Sequence, residues 1–164
     1  MLLKAAAHLV RAVANLRNMQ IENADNYRKG ILELLEAENL PVADLPLTLE
    51  NFLIALQNEE LIGVVGVEIY GDYGLLRSLS VRSDFRNMGV AANLLQRIDA
   101  LSRLKKLKEL YLLTETAPGY FDRKGYKKIA RADVPTEIQQ SSEFSHICPQ
   151  SAIVMKKVLI TTKN

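Results

Sequence analysis

Tryptophan is absent from this 164-residue chain, cysteine occurs once and histidine only twice. A lone thiol, Cys148, can close no internal disulfide, and with His8 and His146 as its only companions it forms no plausible zinc ligand set. No metal is therefore expected, and the cysteine usage fits a reducing, cytoplasmic setting. No apolar run approaches the 18 or so residues that a membrane-spanning helix needs, so no membrane partner is expected. An excess of one charge is missing as well. The chain has 21 Lys and Arg against 19 Asp and Glu, and Lys4, Arg11 and Arg17 all precede the first acid, Glu22, which leaves 18 basic against 19 acidic residues beyond them. That balance argues against a nucleic-acid surface. Repeats, linkers and low-complexity segments are absent too. What remains, 48% hydrophobic and 24% charged, describes one globular domain able to bury about two thirds of its unfolded surface.

Residues 1–17 are Ala/Leu-rich, basic and free of acids, but His8 and Arg11 interrupt any signal-type apolar core and serine is lacking. The segment reads as an extra amphipathic helix, or as an over-extended start with Met19 the natural first residue. The chain is accordingly divided into an extension, 1–18, and a domain, 19–164.

Within the domain, Met19 to Glu22 predicts a short strand, and Asn23 or Asp25 can cap a helix that turns Ile31, Leu32, Leu34 and Leu35 inward. Pro41 and Pro46 bracket a loop containing Asp44. Phe52 to Gln57, the turn Asn58-Glu59-Glu60 and the β-branched run Leu61 to Tyr70 predict a hairpin, and Gly71-Asp72-Tyr73-Gly74 turns the chain into a third antiparallel strand, Leu75 to Val81. From Gly89 the apolar period changes from two to about 3.6, with Leu94, Leu95, Ile98, Leu101 and Leu104 on one face. Leu110 to Thr114 reads as a buried strand. Two helical turns from Ala117 to Lys124 end at Gly125, and strands Tyr126 to Arg131 and Ala152 to Leu159 flank a short helix from Pro135 to Ser142. The order predicts an α/β fold with a mixed, mostly antiparallel sheet, helices on both faces and one parallel crossover through the Gly89 helix.

The most informative stretch is Arg86-Asn87-Met88-Gly89-Val90-Ala91, between a strand and a helix. A turn that runs into a helix N-terminus offers unpaired N–H groups, and a glycine there lets a phosphate approach the backbone. No Gly-Lys-Ser/Thr follows, which argues against a nucleotide P-loop.

These residues resemble the cofactor motif of the GNAT superfamily of N-acetyltransferases: Arg or Gln, two variable residues, Gly, one variable residue, then Gly or Ala. Arg86, Gly89 and Ala91 match it, after the strand Leu75 to Val81 and ahead of Ala117 and Phe121-Asp122-Arg123-Lys124-Gly125-Tyr126. The resemblance covers residues 19–159 and implies the GNAT fold with splayed middle strands. It implies acetyl-coenzyme A as cosubstrate. Its diphosphate would lie on the N–H groups of Asn87, Met88, Gly89, Val90, Ala91 and Ala92, with Arg86 near, and its pantetheine arm would pair with the backbone of Leu79 and Val81 in the manner of an added strand. Arg82, Arg123 and Lys124 are candidates for the outlying phosphates.

The implied chemistry is attack of a neutral amine on a thioester carbonyl polarised by N–H groups near Ser80 and Val81. An alkyl amine is mostly charged at pH 7, so a base is required. Glu68 is the first candidate. Counting from a two-residue Asp72-Tyr73 turn pairs Glu68 across the strands with Arg77, either as a plain ion pair or with Arg77 gripping an acidic group on the acceptor; Tyr70 and Ser78 join them as acceptor-side residues. Thr114 and Phe121 depart from the pattern, which often has Asn and a thiolate-protonating Tyr at those positions, although a thiolate of pKa near 8.5 leaves tolerably well without an acid. Tyr120 is turned about 100° away from Phe121 on a helix. Glu68, the run Leu76 to Leu79, Tyr111 to Thr114 and Glu143 to Met155 further resemble arsenic-resistance N-acetyltransferases. The expected function is acetylation of a small, acidic, amino acid-like amine, linked to arsenic or toxin resistance, with a non-catalytic acyl-coenzyme A-binding module as the alternative. Monomer and homodimer both stay open.

Overall fold

Seven strands form one sheet in the order β1-β2-β3-β4-β5-β7-β6. The structure is a computed structural model that describes residues 18–147 and 149–159. The extension through Arg17 and the lone Cys148 lie outside the described residues. The elements are β1 (Met19–Asn23), α1 (Arg28–Ala37), β2 (Phe52–Gln57), β3 (Glu60–Tyr70), β4 (Tyr73–Val81), α2 (Val90–Leu104), β5 (Glu109–Thr114), α3 (Pro118–Arg123), β6 (Lys127–Ile129), α4 (Thr136–Gln139) and β7 (Ile153–Val158). All neighbours pair antiparallel except β4 and β5, which are joined by the crossover through α2.

Alternation along the strands assigns the apolar residues to two faces. Val65, Val67, Leu76, Leu110 and Leu112 pack on one face against Leu94 and Ile98 of α2 and Phe121 of α3. On the other face, Phe52, Ile54 and Val64 meet Ile31, Leu34 and Leu35 of α1. Further along that face, Leu75, Tyr111 and Val154 meet Ile138 of α4 and Phe144. The helix expected from Pro135 to Ser142 is a single turn, followed by a π-helical turn over Glu143–Ile147.

Two local expectations are corrected. Neither Asn23 nor Asp25 caps α1, whose N-cap position is Tyr27 with no side-chain capping bond. Both side chains serve the corner instead: Asn23 Oδ1 accepts from the Asp25 N–H, and Asp25 Oδ1 accepts from the Leu49 N–H. The β3–β4 turn falls one residue earlier than expected, so that Tyr70 pairs with Tyr73, Glu68 with Leu75 and Gly66 with Arg77. Moving the turn by one residue shifts the pairing by two, which leaves every side chain on its predicted face. Glu68 and Arg77 are therefore diagonal neighbours rather than opposites, and they still meet.

Gly66 lies where Phe52 crosses the sheet. A Cβ added there would stand 2.4 Å from the Phe52 ring, and Phe52 is buried beneath α1 with little room to retreat. Gly66→Ala is expected to destabilise the fold by about 1–3 kcal/mol through overpacking. In urea this should lower the unfolding midpoint at unchanged slope; an unmoved midpoint would show that the ring can shift.

Candidate active site

The site begins where the two parallel strands part. β4 and β5 share only the pairs Tyr73↔Glu109, Gly74↔Leu110 and Leu75↔Tyr111, and beyond them the strands diverge without further pairing. On its other side β4 stays joined to β3, but through a bulge in which Ser78 and Leu79 oppose Val65 alone. Ser78 carries the strain of that bulge, with φ of 59°. A bulge bends its strand and re-aims the side chains that follow.

Two adjoining cavities occupy the divergence. The first, about 720 Å³, runs along Leu79, Ser80 and Val81 to the start of α2, where Arg86, Asn87 and Gly89 to Ala92 line it. Gly89 is the N-cap of α2 in a left-handed conformation, φ 80°, with no side-chain capping bond. The N–H groups of the first helical turn thus have no partner within the helix. A Cβ at Gly89 would meet nothing nearer than the Asn93 amide at 3.9 Å, so the backbone is open to a ligand. Met88 does not line the cavity; its side chain packs on the apolar core. The cations on the cavity wall are Arg86 and Lys124, whereas Arg82 is engaged at the surface with Glu60 and Asp84. Arg86 is held by an ion pair with Glu38, the residue that ends α1.

The second cavity, about 580 Å³, lies deeper between the strands. Arg77 and Ser78 on β4 face Leu112 to Thr114 on β5, with Phe121 from α3 and Glu143 from the π-helical turn. Thr114 and Phe121 belong here and not to the first cavity. Glu38, Leu40, Leu79, Ala117 and Tyr120 line both, so the cavities meet at those residues. Thr114 Oγ1 accepts from the Ala117 N–H at 3.1 Å and fixes the approach to α3. Phe121 packs edge-on between Tyr120 and Tyr126. The buried Tyr120 hydroxyl has no hydrogen-bond partner among the described residues, and burial raises its pKa, with Arg123 opposing the shift.

Arg77 stands on the cavity wall with a side chain only 1% exposed. A guanidinium in such a place needs nearby anions. Asp44 takes both terminal nitrogens at 2.8 Å, Glu68 accepts from Nη1 at 2.5 Å and Ser78 Oγ accepts from Nε at 3.1 Å, while a Glu143 oxygen lies 3.7 Å from Nε. Burial alone would lower the pKa of Arg77; the hydrogen bonds to Asp44 and Glu68 and the charge of Glu143 outweigh it and leave the group raised. Tyr70 donates to the second Glu68 oxygen at 2.5 Å, and burial, with that bond, raises its pKa. Four of the five Arg77 N–H groups are thereby committed within the protein, and the fork that was to grip an acidic acceptor is already filled by Asp44. Glu68, the expected base, lies behind Arg77 and lines neither cavity.

Residues 48–128 match the family model of the acetyltransferase (GNAT) domain. That stretch, just under half of the chain, is similar to the GNAT acetyltransferase domain. An uncharacterized N-acetyltransferase of Chlorobaculum tepidum is 30% identical over 91 residues, a match spanning 55% of this chain and 58% of that relative. Among solved structures, N-acetylglutamate synthase of Neisseria gonorrhoeae, complexed with coenzyme A and L-arginine, superposes with a TM-score of 0.75 at 16% identity over 87% of this chain and 34% of its own. A GNAT-family acetyltransferase of Staphylococcus aureus gives 0.69 at 19% identity over 87% of this chain and 99% of its own. These likenesses establish the mixed α/β GNAT fold, with its diverging middle strands, for this chain.

The site residues that the sequence did not point to are Asp44, Glu143, Glu38 and Tyr120. A signal for the first two was present: an arginine in the apolar strand Leu75 to Val81 must be buried, and one glutamate is a meagre escort for it. Removing the guanidinium would leave three carboxylates crowded together. Arg77→Met is therefore expected to destabilise the fold by about 3–5 kcal/mol, and Arg77→Lys by less, since an ammonium keeps the charge but not the two-pronged bond to Asp44. Denaturant unfolding measures both; a loss below about 1 kcal/mol for the methionine variant would mean that water already solvates the cluster.

Proposed function

We propose that this chain transfers the acetyl group of acetyl-coenzyme A to the amine of a small molecule. The observation that carries this reading is the continuity of the two cavities: an open, uncapped helix start at Gly89, then an unpaired strand edge, then a side chamber. A diphosphate on the N–H groups of Asn87 to Ala92 would meet Arg86 and Lys124 on the wall of the first cavity. The pantetheine amides would pair with Leu79 and Val81 along the free edge of β4. That path brings the thioester to the meeting point of the cavities, beside Leu79, Ala117 and Tyr120, with N–H groups near Ser80 and Val81 at its carbonyl oxygen.

The amine enters from the second cavity. Its lone pair attacks the carbonyl carbon, the C–N bond forms as the C–S bond breaks, the amine proton passes to the carboxylates around Arg77, and coenzyme A leaves as a thiolate that is then protonated. Glu143 faces the chamber directly, while Glu68 can take the proton only through an intervening water. Phe121 has no proton to give. The phenol of Tyr120 is the protonated group at the junction, and a thiolate with the pKa of an ordinary thiol also departs unaided. The neighbours' complexes with coenzyme A and amino-acid-like ligands support an acceptor of amino-acid size. The association with arsenic or toxin resistance rests on the sequence resemblance alone. The second reading, an acyl-coenzyme A-binding module without turnover, is favoured by Phe121 in place of a proton donor.

Acetyl-coenzyme A is expected to raise the melting temperature, with a stabilisation of about 2.7 kcal/mol at a hundredfold excess over Kd. Gly89→Glu, which sets a carboxylate against the diphosphate on a left-handed residue, should remove this stabilisation; if the variant is stabilised like the parent, the diphosphate lies elsewhere. Thiol release from acetyl-coenzyme A over a panel of amines separates the two readings, because a binding module releases none.

A further inference from the structure

We infer that Arg86, held by Glu38, forms a latch across the first cavity that acetyl-coenzyme A has to displace, so that this ion pair tunes the affinity for the cofactor. The inference rests on the reading of the first cavity as a coenzyme A site and adds a self-limiting contact to it.

In an antiparallel pair, residues that bond to the neighbouring strand alternate with residues whose N–H and C=O point away from it. The Arg82 N–H donates to the Ile62 carbonyl at 2.8 Å, and Val81 stands opposite Gly63. Val81 is therefore of the second kind: its N–H and C=O turn away from β3, toward the side from which β5 has already diverged. Arg86 reaches back to that edge. Its Nε donates to the Val81 carbonyl at 3.4 Å, and its Nη2 donates to the Glu38 carboxylate. One guanidinium thus bridges the free edge of β4 and the end of α1, and all three residues line the first cavity.

Both contacts are ones that the cofactor would claim. The Val81 carbonyl is the acceptor for a pantetheine amide, and the guanidinium is a charged partner for the diphosphate. While Arg86 is held, the carbonyl is taken and the cation is neutralised by Glu38, so acetyl-coenzyme A has to exchange these contacts for its own. Glu38 supplies most of the hold, since a carbonyl contact at 3.4 Å is long and weak. The side chains of Arg86 and Glu38 are 51% and 23% exposed, so water screens the pair and its contribution is modest. A contact of that strength adjusts the affinity of the site without blocking it.

Calorimetric titration of acetyl-coenzyme A into the unaltered protein, Glu38→Gln, Arg86→Gln and the double variant tests the latch. Glu38→Gln keeps the size and polarity of the side chain and removes its charge, and neither substitution touches the core. Glu38→Gln is expected to lower Kd by about threefold, within the range of a part-exposed ion pair. In the Arg86→Gln background, whatever that change does by itself, Glu38→Gln should alter Kd by less than about 1.5-fold, because no guanidinium remains to be released. An equal gain in both backgrounds would mean plain repulsion between Glu38 and the phosphates, and no gain or a loss from Glu38→Gln alone would mean that Arg86 is not in the way. Either result overturns the inference and leaves the coenzyme A reading standing. If the unaltered protein takes up no acetyl-coenzyme A, that reading falls and the latch with it.

Discussion

The parting of β4 from β5 is the constraint on which the site depends. Peptide groups inside a fold must be hydrogen-bonded, and a sheet whose middle strands separate after three residue pairs leaves a row of them without strand partners. The fold keeps the opening in place from both sides. On one side the bulge at Ser78 bends β4 while β3 holds its outer edge. On the other, β5 remains paired along its whole length with β7, from Glu109↔Val158 to Thr114↔Ile153. Each strand thus keeps one satisfied edge and offers the other to whatever enters, and the start of α2 sits at the end of that path.

Arg77 links this opening to the rest of the chain. Its carboxylate partners come from the loop before β2, from β3 and from the π-helical turn near the C-terminal end, segments distant in sequence that converge on one residue. The net stability of a buried ion cluster is small, because desolvation offsets much of the attraction, but its geometry is exacting and removing one partner is costly. The cluster therefore acts chiefly to place Asp44, Glu68 and Glu143 around one wall of the second cavity. The strained backbone of Ser78 is part of the same arrangement, since its hydroxyl accepts from Arg77 Nε.

How far the site was legible in the sequence follows from the range of the interactions involved. The open helix start was readable because it is local: Gly89 is left-handed and unobstructed, and strand, turn and helix are contiguous. The meeting of Glu68 and Arg77 was readable despite a misplaced turn, because the period of two is indifferent to a shift of two residues. Asp44 and Glu143 were not readable as partners of Arg77, since each is brought there by a loop or turn whose path is set by packing far from it in sequence. Met88, counted with the helix start by position, stands between two left-handed residues, Asn87 and Gly89, and packs its side chain on the core. The missing caps of α1 have a similar origin, with Asn23 and Asp25 used by the corner before the helix begins.

The lining charges differ along the path, with Arg86 and Lys124 on the first cavity and Arg77 among carboxylates on the second. Unit charges about 4 Å apart interact by about 4 kcal/mol at the effective dielectric of a protein surface, against about 1 kcal/mol in water. The sign of the lining groups consequently matters more in the enclosed second cavity than on the open rim. Arg86 and Lys124 stand where a polyphosphate would arrive with solvent still present, so their individual contributions are modest and screened by salt. Glu143 and Arg77 stand in the wall of the inner chamber, where neither is readily solvated. In the proposed acetyl transfer an amine would have to lose its proton there while staying next to negative charge, and the two demands oppose each other, because a carboxylate that attracts the ammonium also raises its pKa.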